Sequence, residues 1–315
     1  MPRITDDFLI TGPVEFLDVN VERDNLLFLD PSAIRAAAAA GDSYALKAAA
    51  TLNSFFDRTL VALASTSPTA RADGESDLQQ FSEIGETRLG MSRTGYRGRG
   101  AAAELGTRIW NELDTNPLCK HTIATLKYIE DIPVFVEGID KDILSDITVR
   151  IVFETLEQFT TDMVTKYPTL RTHRPMQTFN VDYWNNTTGK WANKSVLLPS
   201  ADGKPLLLVP KNLVNYKIEM TFGQYHQVPL LGFIMNEELV EVQQKKGVVI
   251  RPKYRKKELK TKPEFARSRR TNTKQTERIF LEKNEDLLGH YRAERQRDFE
   301  PLTEDQLDHY LSREP

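Results

Sequence analysis

Residues 245–278 carry fourteen Lys and Arg side chains against three Glu, a net charge of +11. Like charges at this density repel one another unless a polyanion or an acidic protein surface neutralises them. Residues 1–244 carry 23 basic and 32 acidic side chains, and residues 279–315 carry five and ten. The charge pattern therefore divides the chain into an acidic body, a basic connector and an acidic C-terminal segment.

Local patterns predict an α+β fold, with the body at 1–244, the basic connector at 245–278 and a helical C-terminal segment at 279–315. Asp30-Pro31 favours a helix start, because Asp caps helices well and Pro suits the first helical position. Two alternating segments, 179–184 and 191–198, flank a turn-rich stretch and predict a hairpin. Further expected elements are strands at 132–136 and 205–211 and helices at 101–113, 142–167 and 277–297.

Composition narrows the functional class. The single Cys119 rules out an intrachain disulfide and a Cys-based zinc cluster. No apolar run approaches the roughly 18 residues that a membrane helix needs, and the first residues lack a basic-then-apolar signal region. We expect a cytoplasmic protein without a membrane partner.

The basic connector is the first candidate for nucleic-acid contact. A cationic segment that neutralises phosphates releases counterions, which drives binding to DNA or RNA. The predicted phosphate contacts in this segment are Lys253, Arg255, Lys256, Lys257, Arg269 and Arg270. The alternatives are a solvated linker and a face that docks on an acidic surface of the same chain or of another protein.

A glycine- and arginine-rich loop at 85–100 is the second candidate. Glycine lets a backbone approach a ligand closely, and the Arg guanidinium binds phosphate through two donors. We expect Arg88, Arg93, Arg97 and Arg99 to bind phosphate and Tyr96 to stack on a base. The loop lacks the Gly-Lys-Ser/Thr of a Walker A sequence and follows no clear strand. The alternative is a flexible surface loop.

An acidic helix start is the third candidate. Asp142 and Asp146 lie four residues apart on one helical face, and Asp140 precedes them. Clustered carboxylates repel one another unless a proton, a basic side chain or a divalent cation lies between them. We therefore predict that Asp140, Asp142 and Asp146 bind Mg²⁺. The alternative assigns Asp142 to the helix cap and pairs Asp146 with Arg150.

Lys211 ends the apolar segment Leu206–Val209 and could stabilise the charge of a phosphoryl transition state. We therefore predict a catalytic role for Lys211 together with Asp142 and Asp146. Restriction-type nucleases place an acidic residue two positions before such a lysine, whereas residue 209 is Val here. The alternative for Lys211 is a side chain that reaches solvent from a sheet edge.

Four sequence blocks carry a resemblance: Leu27–Pro31, Glu86–Ser92, Phe135–Asp146 and Leu207–Lys211. In these blocks, over about the first 215 residues, the chain resembles a family of uncharacterised bacterial proteins associated with mobile elements and anti-phage defence islands. The resemblance implies a prokaryotic cytoplasmic setting and a defence role. It implies no chemistry and no catalytic residues.

Three functional hypotheses follow. The first is a nucleic-acid-directed defence component, in its catalytic form a Mg²⁺-dependent nuclease. The second is a non-catalytic subunit that binds DNA or a protein encoded in the same system, beside an ATPase or a nuclease. The third is a nucleotide sensor that uses the loop at 85–100. The sequence alone leaves DNA or RNA, the oligomeric state and the spatial proximity of Asp146, Arg97 and Lys211 open.

Overall fold

A computed structural model describes residues 2–82, 84–90, 99–119, 126–244 and 247–313. Helices predominate in this part of the chain, and its strands form four separate two-stranded antiparallel sheets. The fold is therefore α+β, as predicted.

The helices of the described residues are α1 (Ile4–Asp7), α2 (Pro31–Ala39), α3 (Ser43–Ala64), α4 (Pro68–Leu78), α5 (Arg99–Thr115), α6 (Ile132–Phe135), α7 (Lys141–Ile151), α8 (Phe153–Lys166), α9 (Thr169–Thr172), α10 (Phe222–Tyr225), α11 (Leu231–Glu237), α12 (Lys256–Leu259), α13 (Arg269–Lys283), α14 (Leu287–Arg297) and α15 (Glu304–Leu311). The strands are β1 (Phe28–Leu29), β2 (Gln177–Asn185), β3 (Lys190–Leu198), β4 (Ser200–Ala201), β5 (Lys204–Pro205), β6 (Val214–Asn215), β7 (Leu239–Gln244) and β8 (Gly247–Pro252). Strand β1 pairs with β6, β2 with β3, β4 with β5 and β7 with β8.

Two local predictions are confirmed. The Asp30 carboxylate accepts a hydrogen bond from the Ser32 backbone N–H, and Pro31 is the first residue of α2. Strands β2 and β3 form the expected hairpin, in a register that runs from Gln177 opposite Leu198 to Asn185 opposite Lys190. Both features depend on residues close together in sequence, which explains why local patterns identified them.

The strand predicted at 132–136 is wrong, and in the strand predicted at 205–211 only Pro205, in β5, and Pro210, which bridges Phe16, have strand pairing. The segment at 132–136 contains helix α6, with Pro133 in its first turn. Residues Leu206–Val209 are buried, but their backbone forms no ladder. The Leu207 N–H donates to the Glu86 carbonyl and the Leu208 N–H to the Thr160 hydroxyl, so this segment is held by scattered partners. A short apolar run indicates burial without specifying its backbone conformation.

The two longest predicted helices are each interrupted. Val152, whose φ of −89° and ψ of 13° depart from helical values, separates α7 from α8. Asn284, in the left-handed conformation with φ of 52°, ends α13 before α14 begins. Asn is one of the few residues that adopts this conformation at low cost, so it can end a helix where Gly is absent.

The C-terminal helices share the apolar core of the body. One buried cluster contains Phe16 and Trp184 from the body together with Ile279 and Tyr291 from α13 and α14. The predicted basic connector is itself structured: it contains β8, α12 and the first two thirds of α13. Among the described helices, none is long and apolar enough to cross a membrane.

Candidate nucleic-acid interface

Four side chains of the basic segment contact one short stretch of the chain, residues 222–228. Helix α10 continues into a π-helical turn at His226–Leu230, and residues 222–230 contain no acid. Pro229 lies inside this turn and cannot donate a backbone hydrogen bond, which is compatible with the wider π-helical geometry.

Four cations contact this stretch from two directions. From α12 and the residue after it, the Lys256 ammonium donates to the Val228 carbonyl at 3.4 Å, and the Lys260 ammonium donates to the Gln227 side-chain carbonyl. From the start of α13, the guanidinium carbons of Arg267 and Arg269 lie 5.2 and 4.8 Å from the centre of the Phe222 ring. Basic groups from separate parts of the segment therefore contact the same stretch of chain, residues 222–228.

Among the described residues, most of the cations of this segment form no ion pair with an acid. Of the twelve Lys and Arg residues in 247–278, Lys253 pairs with Glu238 at 2.7 Å and Arg278 pairs with Glu237 at 2.6 Å. Within the described residues, the remaining ten form no ion pair: Arg251, Arg255, Lys256, Lys257, Lys260, Lys262, Arg267, Arg269, Arg270 and Lys274. We call these ten residues the cationic surface.

The first turn of α13 adds to the positive charge. The helix begins with Arg269 and Arg270, and its first turn contains no acid. The N-terminal end of a helix already carries a partial positive charge, so cations there are unfavourable unless an anion approaches. Oxygen atoms and aromatic rings hold several of these side chains in place; the guanidinium carbon of Arg269, for example, lies 4.8 Å from the centre of the Phe222 ring.

The pKa of His226 responds to this electrostatic environment. Burial lowers the pKa of His226, a hydrogen bond with the Phe265 carbonyl opposes the shift, and the positive charges of Arg267 and Lys260 lower it further. Neutral His226 is thereby favoured among these cations, so the imidazole adds no further charge near neutral pH.

The sequence predicted some residues of this region as phosphate contacts and missed others. Lys253, Arg255, Lys256, Lys257, Arg269 and Arg270 all lie in this region, although Lys253 is paired with Glu238. Phe222, Lys260 and Arg267 were missed, because their contribution depends on tertiary contacts. The only local signal was the membership of Lys260 and Arg267 in the basic segment.

The loop at 85–100 is described only in part. Arg93, Tyr96 and Arg97 lie outside the described residues, as does the side chain of Arg99, whose backbone begins α5. Arg88 is only 6% exposed, and its guanidinium donates to the carbonyls of Val21, Gly85 and Ala201. This arrangement makes Arg88 a structural anchor rather than a phosphate contact. The nucleotide-sensor hypothesis, which depends on this loop, stays a prediction.

The three aspartates have different environments. Asp140, and not Asp142, caps α7, and its carboxylate accepts a hydrogen bond from the Ile143 N–H at 3.0 Å. Asp142 is buried beside Gly90, where a β-carbon added to the glycine would lie 2.6 Å from the Asp142 Oδ1 atom, and Asp146 is half-buried. Among the described residues, no group of three or more His, Cys, Asp or Glu could hold a metal ion. The Mg²⁺ site stays a prediction.

Arg150 and Lys211 make contacts that the sequence did not predict. Arg150, the alternative partner of Asp146, donates to the carbonyls of Ser82 and Asp182. Burial lowers the pKa of Arg150, and the negative charge of Asp146 raises it in opposition. Lys211 forms an ion pair with Glu304 of α15, at 2.7 and 2.8 Å from its two carboxylate oxygens. The cleft that Lys211 lines contains neither Asp142 nor Asp146. The described contacts therefore do not bring the three predicted catalytic residues together.

Comparison with known proteins gave one match. A family model described as a domain of unknown function, DUF8370, matches residues 11–221. No curated protein and no solved structure matches the chain. The matched range ends immediately before Phe222, so the stretch that gathers the cations lies beyond it.

Proposed function

The chain belongs to the DUF8370 family, and we propose that it is a nucleic-acid-binding protein whose cationic surface contacts phosphates. The observation that carries the proposal is the convergence of Lys256, Lys260, Arg267 and Arg269 on residues 222–228 without an acidic partner among the described residues. A polyphosphate supplies the repeated negative charge that such a surface lacks, and counterion release favours the contact.

Nucleic acid fits this surface better than a small anion does. Exposed cations extend from Arg251 on β8 to Lys274 on α13, so the charge is distributed over several elements. Five of the ten residues of the cationic surface are Arg, which suits two-point contact with phosphate oxygens. Phosphate contacts position a strand without reading its bases, so we expect binding with little sequence preference.

The test compares two variants with equal loss of charge. The first removes four exposed cations of the cationic surface: Arg255→Gln, Lys257→Gln, Arg270→Gln and Lys274→Gln. The matched control removes four exposed cations of the body: Lys47→Gln, Arg171→Gln, Lys190→Gln and Lys204→Gln. Fluorescence anisotropy would measure the affinity for labelled duplex DNA, single-stranded DNA and RNA of one sequence.

We expect the first variant to lose at least about tenfold in affinity and the control to bind like the wild type. Equal losses in both variants would show a diffuse charge effect and would contradict the assignment to this surface. Absence of wild-type binding to all three ligands at low salt would refute the proposal and would favour an acidic protein as the partner.

The catalytic form of the hypothesis needs its own test, because no described contact joins Lys211 to the aspartates. A nuclease of this kind would cleave plasmid DNA or RNA with Mg²⁺ or Mn²⁺. Asp142→Ala and Asp146→Ala would abolish that cleavage while leaving affinity for nucleic acid unchanged. Cleavage that survives both substitutions would exclude these aspartates from catalysis, and no cleavage by the wild type would support the binding-subunit form.

The family resemblance extends the proposal to anti-phage defence beside a protein encoded in the same system. The efficiency of phage plating on cells that carry the native gene cluster tests this extension. We expect protection with the wild-type chain and its loss with the variant of the cationic surface, because that variant removes nucleic-acid contact. Protection that is equal for both, at equal protein abundance, would separate defence from this surface.

A further inference from the structure

A second group of cations lies in a cleft between the N-terminal segment and α15, which residues 222–228 do not line. The cleft has a volume of about 300 Å³, and its charged residues are Arg3, Asp18, Lys211, Glu304 and Asp308. The apolar residues Ile10, Val14, Leu17, Leu307 and Leu311 also line the cleft, but most of its exposed wall is polar. Ligand pockets start at about this size, and a polar wall suits a charged ligand rather than an apolar one.

Both cations of the cleft are neutralised by acids of a single short helix. Lys211 pairs with Glu304 and Arg3 pairs with Asp308, and both acids belong to α15. The side chains of Lys211 and Arg3 are 19% and 27% exposed, whereas those of Glu304 and Asp308 are 72% and 62% exposed. The cations are therefore fixed in the cleft, and the acids reach them from its rim while remaining mostly in water.

The third acid of the cleft, Asp18, forms hydrogen bonds with Thr5. The Asp18 carboxylate accepts hydrogen bonds from the Thr5 backbone N–H at 2.8 Å and from the Thr5 hydroxyl at 2.7 Å. Burial raises the pKa of Asp18, and these hydrogen bonds oppose the shift only in part. The Asp18 carboxylate is therefore held on Thr5, and the positive charge of Arg3 lowers its pKa in opposition to burial.

Helix α15 is held by contacts that do not require its acids. Leu307 and Leu311 are buried, and the Tyr310 ring stacks on Tyr216 with 4.6 Å between ring centres. An isolated helix of eight residues is unstable in water, so packing rather than its own hydrogen bonds maintains it. An anion can therefore replace Glu304 and Asp308 on the cations without unfolding the rest of the contact.

We infer that this cleft is a phosphate-binding site in which Glu304 and Asp308 of α15 occupy the positions of the ligand's anionic oxygens. Lys211 and Arg3 would bind the phosphate oxygens, and α15 would act as a competing internal occupant. The ligand is a small phosphorylated molecule or the phosphorylated end of a strand. None of the residues of this cleft belongs to the cationic surface, so the inference is independent of the proposed nucleic-acid contact; only Lys211 is shared with the catalytic form of the hypothesis.

The test removes the internal competitor while keeping α15. Glu304→Gln with Asp308→Asn would free Lys211 and Arg3 of their acids. The matched control, Glu300→Gln with Asp305→Asn, removes the same charge from two exposed residues of the same segment whose side chains make no described contact. Isothermal titration calorimetry with inorganic pyrophosphate would measure binding to the whole chain, with thermal melting as a check on folding.

We expect Glu304→Gln with Asp308→Asn to bind pyrophosphate at least about tenfold more tightly than the wild type, and the control to match the wild type. Adding Lys211→Gln or, separately, Arg3→Gln should abolish the gain, which keeps the test valid if one of them disturbs folding. A second arm with dithymidine that carries or lacks a 5′-phosphate distinguishes a strand end from a free phosphate. No gain with any phosphate, or a gain that persists without Lys211 and Arg3, would overturn the inference.

Discussion

Arginines of the body and arginines of the cationic surface use the same guanidinium in opposite ways. Arg88 and Arg150 are buried, and their guanidiniums donate to backbone carbonyls. Burial lowers the pKa of Arg150 to about 10, against the opposing charges of Asp182, Glu86 and Asp146. Arg267 and Arg269, in contrast, lie against the Phe222 ring and have no acidic partner among the described residues.

This difference implies that the buried arginines contribute to folding and that the arginines of the cationic surface contribute to binding. A guanidinium whose donors are satisfied inside the protein contributes to the free energy of folding and has little left for a ligand. A guanidinium held by an aromatic ring keeps its charge and most of its donors. We therefore expect substitutions of body cations to change stability and substitutions of the cationic surface to change affinity for nucleic acid.

The largest effect on stability is expected at Arg292. Its guanidinium makes two hydrogen bonds to Asp131, at 3.1 and 2.7 Å, and the Asp131 side chain is fully buried. Arg292→Met would leave a buried carboxylate without its cation and should lower the free energy of unfolding by about 3–5 kcal/mol. Urea denaturation measures this change.

The exposed Lys274, on α13, provides the control for Arg292. Lys274→Met should change the free energy of unfolding by no more than about 0.5 kcal/mol. Adding Asp131→Asn to Arg292→Met should restore part of the stability. Similar losses from Arg292→Met and Lys274→Met would break the distinction between the two regions.

The burial of Asp30 should make the stability of the protein depend on pH. Burial raises the pKa of Asp30 to about 7, helped by the negative charges of Glu219 and Glu130 and opposed by the hydrogen bond from Ser32. Between about pH 4 and pH 7 the folded chain therefore binds more protons than the unfolded chain, so wild-type stability falls as pH rises through this range.

Asp30→Asn keeps a capping side chain but cannot ionise, so it should remove this pH dependence. Each unit of pKa difference corresponds to about 1.4 kcal/mol, so the change amounts to a few kcal/mol. Urea denaturation at about pH 5 and about pH 8 measures it, with the exposed Asp57→Asn as control. A wild-type curve parallel to that of Asp30→Asn would contradict the assignment.

A smaller effect on stability is expected at the border of the cationic surface. Arg278 pairs with Glu237 through two hydrogen bonds of 3.0 and 2.6 Å, and the two side chains are 28% and 17% exposed. Arg278→Met should cost about 1 kcal/mol, because partial contact with water weakens the ion pair. Thermal melting compared with Arg292→Met would rank the two pairs, and a larger loss at Arg278 would reverse the expected order.

Sequence patterns identified what depends on near neighbours. The Asp30 cap and the hairpin of β2 and β3 followed from residues close together along the chain. The segment at 132–136 was mistaken for a strand, because five apolar residues fit a buried helix equally well. The end of α7 before Val152 could not be predicted, because the apolar residues keep helical spacing on both sides of it.

Part of the candidate interface could be predicted from the sequence, and part depends on tertiary contacts. The excess of positive charge in 245–278 was evident from composition alone. Its convergence on residues 222–228 was not, because Phe222 and Gln227 are separated from their cationic partners by more than thirty residues. The internal role of Arg88 was equally hidden, since its acceptors at Val21 and Ala201 lie far away in sequence.

The salt dependence of binding to duplex DNA tests the central claim most directly. Each phosphate contact that is lost should reduce the slope of log affinity against log salt by about 0.9. We predict a slope reduced by about three to four when Arg255, Lys257, Arg270 and Lys274 are replaced by Gln, and no reduction when Lys47, Arg171, Lys190 and Lys204 are replaced. Equal slopes for the two variants would contradict the assignment of phosphate contact to the cationic surface.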